Sequence, residues 1–216
     1  MRGHFLAVCG LLLTPAFAAA QATVTLEPGI GVFVPTLDLV KFENARTPNV
    51  ELQPGPTVGA ELLLTLANRW LGFYGSFRYA FSQLEHTSAL ETQTAPQPSS
   101  DVDLLMFTGG LSLTPSIGWE HLRPRLVAGG GLKRYDFDLV ETGGLGWFTF
   151  EYGVGVTAAP LGSWEGASVL ITAEFRQFVS KFDPATLPIR VRSAENQWQF
   201  DNLFLLGLRF RLGQRR

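Results

Sequence analysis

The stretch Leu71-Gly72-Phe73-Tyr74-Gly75-Ser76-Phe77-Arg78-Tyr79-Ala80-Phe81 alternates between two kinds of side chain. Odd positions carry Leu, Phe, Gly, Phe, Tyr and Phe, while even positions carry Gly, Tyr, Ser, Arg and Ala. A period of two belongs to a strand whose faces meet different surroundings, because successive side chains point to opposite sides of a sheet. The same alternation recurs in 148–157 and again in 204–212. Read throughout, it predicts eight strands near 22–34, 57–66, 70–82, 102–114, 124–137, 147–158, 167–179 and 200–212. Each reaches the roughly 9–11 residues that a tilted membrane-crossing strand needs. Beyond the first twenty residues, no stretch has the ~18 consecutive apolar residues of a spanning helix.

One face of these strands is continuously apolar: Leu71, Phe73, Phe77 and Phe81, then Phe107 and Leu111, then Phe148, Phe150 and Val154, then Phe204, Leu206 and Phe210. In water, such a ring would be an aggregation hazard. In lipid it is the preferred state. The opposite face holds Gly, Ser and Thr with acids at Glu27, Glu61, Glu151 and Glu174, and bases at Arg78, Lys133, Arg176, Arg209 and Arg211. Near-cancellation of charge is what a closed polar interior requires, since an unpaired buried charge costs several kcal/mol. Glu61 and Arg78 lie on adjacent strands across a short turn, within reach of a direct or diagonal pair. Glu151 is expected to approach Glu174 or Arg176, according to register. The glycines on this face are read as relieving crowding; Gly129-Gly130-Gly131 opens no helix and so forms no phosphate cradle.

The links between predicted strands run 36–56, 67–69, 83–101, 115–123, 138–146, 159–166 and 180–199. Long and short links alternate, with the gap narrowing mid-chain. That fits an antiparallel up-and-down barrel with short turns at one end and longer loops at the other. Trp70, Trp119 and Trp164 fall at or in the shorter links, and Trp147 and Trp198 fall where longer loops meet strands. None is mid-strand, which predicts an interfacial girdle. Eight strands enclose an interior that side chains can fill, whereas an open diffusion channel needs about twice as many.

Residues 1–20 read as a cleaved secretory signal: Arg2, an apolar run over Phe5–Leu13, and the small-x-small sites Ala16-Phe17-Ala18 and Ala18-Ala19-Ala20. Cleavage before Gln21 leaves residues 21–216 as the barrel domain. The one cysteine excludes disulfide frameworks and cysteine-rich metal sites, and three histidines leave little for a zinc site. A balance of 17 basic against 19 acidic residues, net −2, argues against a nucleic-acid partner. No cofactor and no metal site is expected.

The leader, the alternating strands and the ending Leu205-x-Gly207-x-x-Phe210-x-Leu212 resemble the small OmpA/OmpX-type bacterial outer-membrane β-barrel domain family over about 22–212. The resemblance implies an all-β, eight-stranded antiparallel up-and-down transmembrane β-barrel. It further implies residence among outer-membrane lipids and lipopolysaccharide, and recognition of Gly207, Phe210 and Leu212 by the outer-membrane assembly machinery. The family ends on an aromatic residue; here Leu212 takes that place and four residues follow it. The chain stops with the eighth predicted strand, so no peptidoglycan-binding domain is expected after it. His86-Thr87-Ser88 with Glu91 resembles the arrangement of outer-membrane lipid A deacylases, but it sits in a polar segment read as a loop, and the flanking residues differ. No catalytic residue is therefore assigned. The expected function is a non-enzymatic structural or surface-interaction role carried by the loops. The alternatives are a lipid A-modifying enzyme and a soluble lipocalin-like barrel with its faces reversed.

Overall fold

The computed structural model describes residues 23–37, 49–66, 70–87, 100–115, 122–137, 145–158, 169–182 and 197–212. The leader lies outside these residues. Every described element is a strand: β1 (Thr23–Pro35), β2 (Asn49–Leu52), β3 (Gly55–Thr65), β4 (Leu71–Thr87), β5 (Ser100–Leu113), β6 (Leu122–Phe137), β7 (Leu145–Ala158), β8 (Val169–Phe182) and β9 (Gln197–Leu212). Apart from β2, neighbours pair in sequence order and antiparallel, and β9 returns to pair with β1, so an eight-stranded barrel closes. Closure pairs each of the eight barrel strands on both sides, the condition for a sheet to sit in lipid, while β2, bonded among the described residues to β4 alone, keeps an open side.

The register fixes the barrel's shape. Stepping from Thr25 through Leu63, Tyr74, Gly110, Gly129, Glu151, Phe178 and Asp201 returns to β1 at Pro35. One circuit therefore climbs ten residues, from 25 to 35. With ordinary strand spacings, this stagger over eight strands tilts them by roughly 40° and sets a backbone radius of about 8 Å. Such a lumen has room for side chains and little else.

The short β2 is the outer part of the strand that β3 continues. Leu52 faces Leu84, whereas Thr57 faces Ala80, so four residues of one strand oppose three of the other. Pro54 and Pro56 lack N–H groups and fall in this bulge, where a regular ladder has no use for them. The sequence assigns 36–56 and 83–101 entirely to loops; β2, and the extension of β4 to Thr87, correct that. With these ends, the link 138–144 is shorter than 159–168, so link length does not alternate all the way round.

The two faces differ as the alternation requires. Outward side chains form a belt of exposed Leu, Ile, Val and Phe, among them Ile30 (65%), Leu206 (61%) and Phe150 (56%). Inward ones are buried. Links 66–70, 114–121 and 159–168 lie at one end of the barrel, the turn end, and the remaining links at the opposite, loop end.

Candidate functional site

The interior is sorted by height. Strand positions nearer the turn end place Glu27, Glu61, Arg78, Arg125, Glu151, Glu174, Arg176 and Arg209 in one buried network. Two arginines organise it. Arg176 donates to Glu174 (Nε to Oε2, 2.8 Å), to Glu151 (Nη1 to Oε1, 2.6 Å) and to Glu61. Arg125 donates to Ser112 (2.9 Å), to Glu61 and to Glu174. Glu27 takes a bond from Arg209 Nε at 2.8 Å and another from the Thr172 hydroxyl. The Tyr74 hydroxyl donates to Glu151 at 2.9 Å, and the Arg176 guanidinium lies 5.4 Å from the centre of its ring. The four carboxylates and four guanidiniums cancel, and each carboxylate has at least two charged or hydroxyl donors.

Glycines make the space. Gly153 and Gly155 face Arg176 and Glu174 across the β7–β8 ladder, and Gly155 also faces Arg125 on β6. A Cβ on Gly153 would stand 2.9 Å from Arg176 Cγ, and one on Gly155 would stand 2.6 Å from Glu174 Cγ. A larger residue at either position would push the long ionic side chains out of their shared plane.

Toward the loop end the filling is apolar: Phe33, Ala80, Val102, Leu104, Met106, Tyr135, Phe178, Phe182 and Leu203 form one cluster. A single ion pair, Lys133 with Asp201, is set into it, with the Lys133 ammonium also 4.6 Å from the Tyr135 ring centre. Five acids and five bases are thus buried among the described residues, and their charges cancel.

The predicted interior residues Glu27, Glu61, Arg78, Lys133, Glu151, Glu174, Arg176 and Arg209 all point inward and are at most 8% exposed. The Arg211 side chain lies outside the described residues. Glu61 and Arg78 are diagonal rather than direct partners and stand 3.9 Å apart, so the stronger partners of Glu61 are Arg125 and Arg176. Glu151 resolves to Arg176. Arg125, Asp201 and Tyr74 join these interior residues without having been expected from the sequence pattern. Arg125 stands one residue into the predicted strand, beside Arg123 and Pro124, and resembles turn chemistry there. The signal that could have found it is Gly155, the small residue across the ladder.

Of the tryptophans, Trp70 is 57% exposed at the turn end and Trp198 is 53% exposed at the loop end. Trp147 corrects the girdle expectation. It shares parity with inward Thr149 and packs on Phe182 (4.7 Å between ring centres) and Tyr135 (5.4 Å), helping to cap the apolar cluster. Trp119 and Trp164 lie outside the described residues. Gly207 faces Gly29 and Thr172, Phe210 faces Leu26 and Val169, and the Leu212 backbone closes the barrel on Val24. The His86 backbone pairs with Val50 in a strand rather than starting a loop, and Ser88 and Glu91 lie outside the described residues. Among the described residues, no group of three or more His, Cys, Asp or Glu side chains could hold a metal ion.

Fold and interior together define a class: an eight-stranded antiparallel up-and-down barrel, apolar outside, filled inside, with a neutral ionic core. Among solved structures, the chain is similar to the crystal structure of Neisserial surface protein A, at 13% identity and a TM-score of 0.48. The match covers 88% of this chain and 96% of that one. It is also similar to the solid-state NMR structure of the outer membrane protein AlkL in DMPC lipid bilayers, at 13% identity and a TM-score of 0.41, covering 91% and 92%. No protein-family model and no curated protein matches the chain.

Proposed function

We propose that this chain is an integral barrel of a bacterial outer membrane, exported by its leader, and that it acts as a non-enzymatic structural or surface-interaction protein through the loops at its loop end. The observation that carries the reading is the pairing of an exposed apolar belt with a buried ionic core. Exposed Phe and Leu all round a barrel are stable only against acyl chains. Charges at such density are stable only where they neutralise one another. A soluble barrel with an apolar ligand inside would need the opposite arrangement. Packed side chains at both levels of the lumen favour a sealed scaffold over a diffusion pore.

Fractionation, gel migration and conductance test this. The protein should fractionate with outer membranes, resist extraction by salt, and migrate faster in SDS gels before boiling than after. Reconstituted in planar bilayers, it should show no steady open-pore conductance. A stable detergent-free monomer would overturn the membrane placement, and a large sustained conductance would overturn the sealed interior.

A further inference from the structure

On β3 to β6, the described outward positions carry no carboxamide and no charge until Gln83, Asp101, Asp103, Arg134 and Asp136 near the loop end. The outward faces of β8 and β9 differ. Gln177 and Asn202 are direct cross-strand partners, each half-buried on the outward face. Gln177 Nε2 donates to Asn202 Oδ1 at 2.9 Å, and Asn202 Nδ2 donates to Thr36 Oγ1 at 3.2 Å. The Tyr152 hydroxyl donates to Gln177 Oε1. Polar atoms held against lipid must find partners, and this row satisfies most of its own demand. It does not satisfy all of it. A carboxamide nitrogen has two N–H groups, and these bonds engage one on each residue.

The surroundings supply the rest of a template. Toward the turn end, the amides stand at the head of an apolar groove of about 820 Å³ whose walls include Ile30, Val58, Phe175, Phe204 and Leu206. Toward the loop end, four residues further along β8 and about 13 Å away at ordinary strand rise, is exposed Lys181. Its cross-strand partner is the exposed indole of Trp198. From the turn end to the rim, the order is apolar trough, spare N–H donors, then a cation beside an amphipathic ring. An anionic acyl lipid presents the complementary order of hydrocarbon chain, ester carbonyl and phosphate.

We infer that this face of β8, β9 and β1 binds one anionic, ester-linked membrane lipid, with its chain in the groove, its ester carbonyl on Gln177 and Asn202, and its phosphate on Lys181. The inference rests on the membrane-spanning reading above and deepens it. Ester carbonyl and phosphate of one lipid stand closer together than Gln177 and Lys181 do, so the aliphatic stem of Lys181 must lie back along β8 toward Gln177 to bring the ammonium to the phosphate. One lysine near a lipid phosphate is worth about fivefold in binding, and one net hydrogen bond about the same.

The test is native mass spectrometry of the full chain in nonionic detergent. The probes are dioleoyl phosphatidylglycerol, its diether analogue and dioleoyl phosphatidylcholine at equal concentration. Wild type is expected to retain one phosphatidylglycerol about fivefold better than phosphatidylcholine and about fivefold better than the diether. K181A should lose the head-group preference and keep the ester preference, and Gln177→Leu with Asn202→Leu should do the reverse. Equal retention of the three lipids by wild type that still shows heat-modifiable migration would overturn the site, as would a lipid-free dimer. Wild type that shows no heat-modifiable migration would instead overturn the membrane-spanning reading. Should either variant fail to fold, the three-lipid comparison on wild type decides the matter alone.

Discussion

The two halves of the lumen solve one packing problem with opposite chemistry. Toward the turn end, Arg125 and Arg176 are fully buried and each is shared among acids on several strands. Toward the loop end, Phe33, Leu104, Phe178 and Leu203 fill the same cross-section by dispersion and exclusion of water, with one ion pair among them. The apolar half gains stability from burial itself. The ionic half gains little net energy over an apolar filling of equal volume, because desolvation offsets much of the attraction. What it adds is specificity. Glu61 meets Arg125 and Arg176 together only in one register, whereas leucines pack acceptably in several.

This contrast predicts different responses to substitution, measured by urea unfolding in lipid vesicles. Arg176→Ala should be the most damaging, at about 3–5 kcal/mol, because it leaves the buried Glu151 with only the Tyr74 hydroxyl among the described residues and takes one of two strong arginine partners from each of Glu61 and Glu174. Phe178→Ala should cost about 3 kcal/mol or somewhat more, from lost transfer energy and a cavity. If the halves truly differ, only Arg176→Ala should also broaden the unfolding transition, since loss of a register constraint yields more than one folded form. Lys133→Met is a sharper probe. It leaves Asp201 unpaired and should cost about 3 kcal/mol, whereas Lys133→Met with Asp201→Leu should return to within about 1 kcal/mol of wild type. A double variant as unstable as the single one would show that the pair holds the apolar half together rather than merely being tolerated there. Arg78→Ala should be the mildest, about 1 kcal/mol, because Arg78 stands 3.9 Å from Glu61 and that carboxylate keeps two stronger partners.

The division between the faces could be read from the sequence because it follows from a period of two and needs no knowledge of neighbours. Eight strands and most of the ionic residues came with it. The height at which each side chain sits did not, because it depends on a stagger that builds up over seven ladders and a closure. That is why Glu151 could not be assigned between Glu174 and Arg176, and why the separation of ionic and apolar halves was invisible. Trp147 turns inward for a related reason. Its position at a strand end suggested an interface, and only its parity with Thr149 turns it inward. Arg125 and Asp201 were lost at strand ends, where a charged residue is equally compatible with a solvated turn. The β2 segment carried no signal: four residues beside Pro54 and Pro56 are too few for a pattern, and only pairing with β4 makes them a strand.

The central claim is that adjacent residues on one strand look into different media. Spin labels at Phe107→Cys and Thr108→Cys, in a background with Cys9 removed and the protein in lipid vesicles, test it directly. Phe107 is 54% exposed on the outer wall, while Thr108 is 7% exposed and hydrogen-bonds inward to Ser76. The label at 107 should collide freely with dissolved oxygen and be shielded from a water-soluble nickel chelate. The label at 108 should be immobile and shielded from both. Nickel access at 107, or oxygen access at 108 equal to that at 107, would contradict the account.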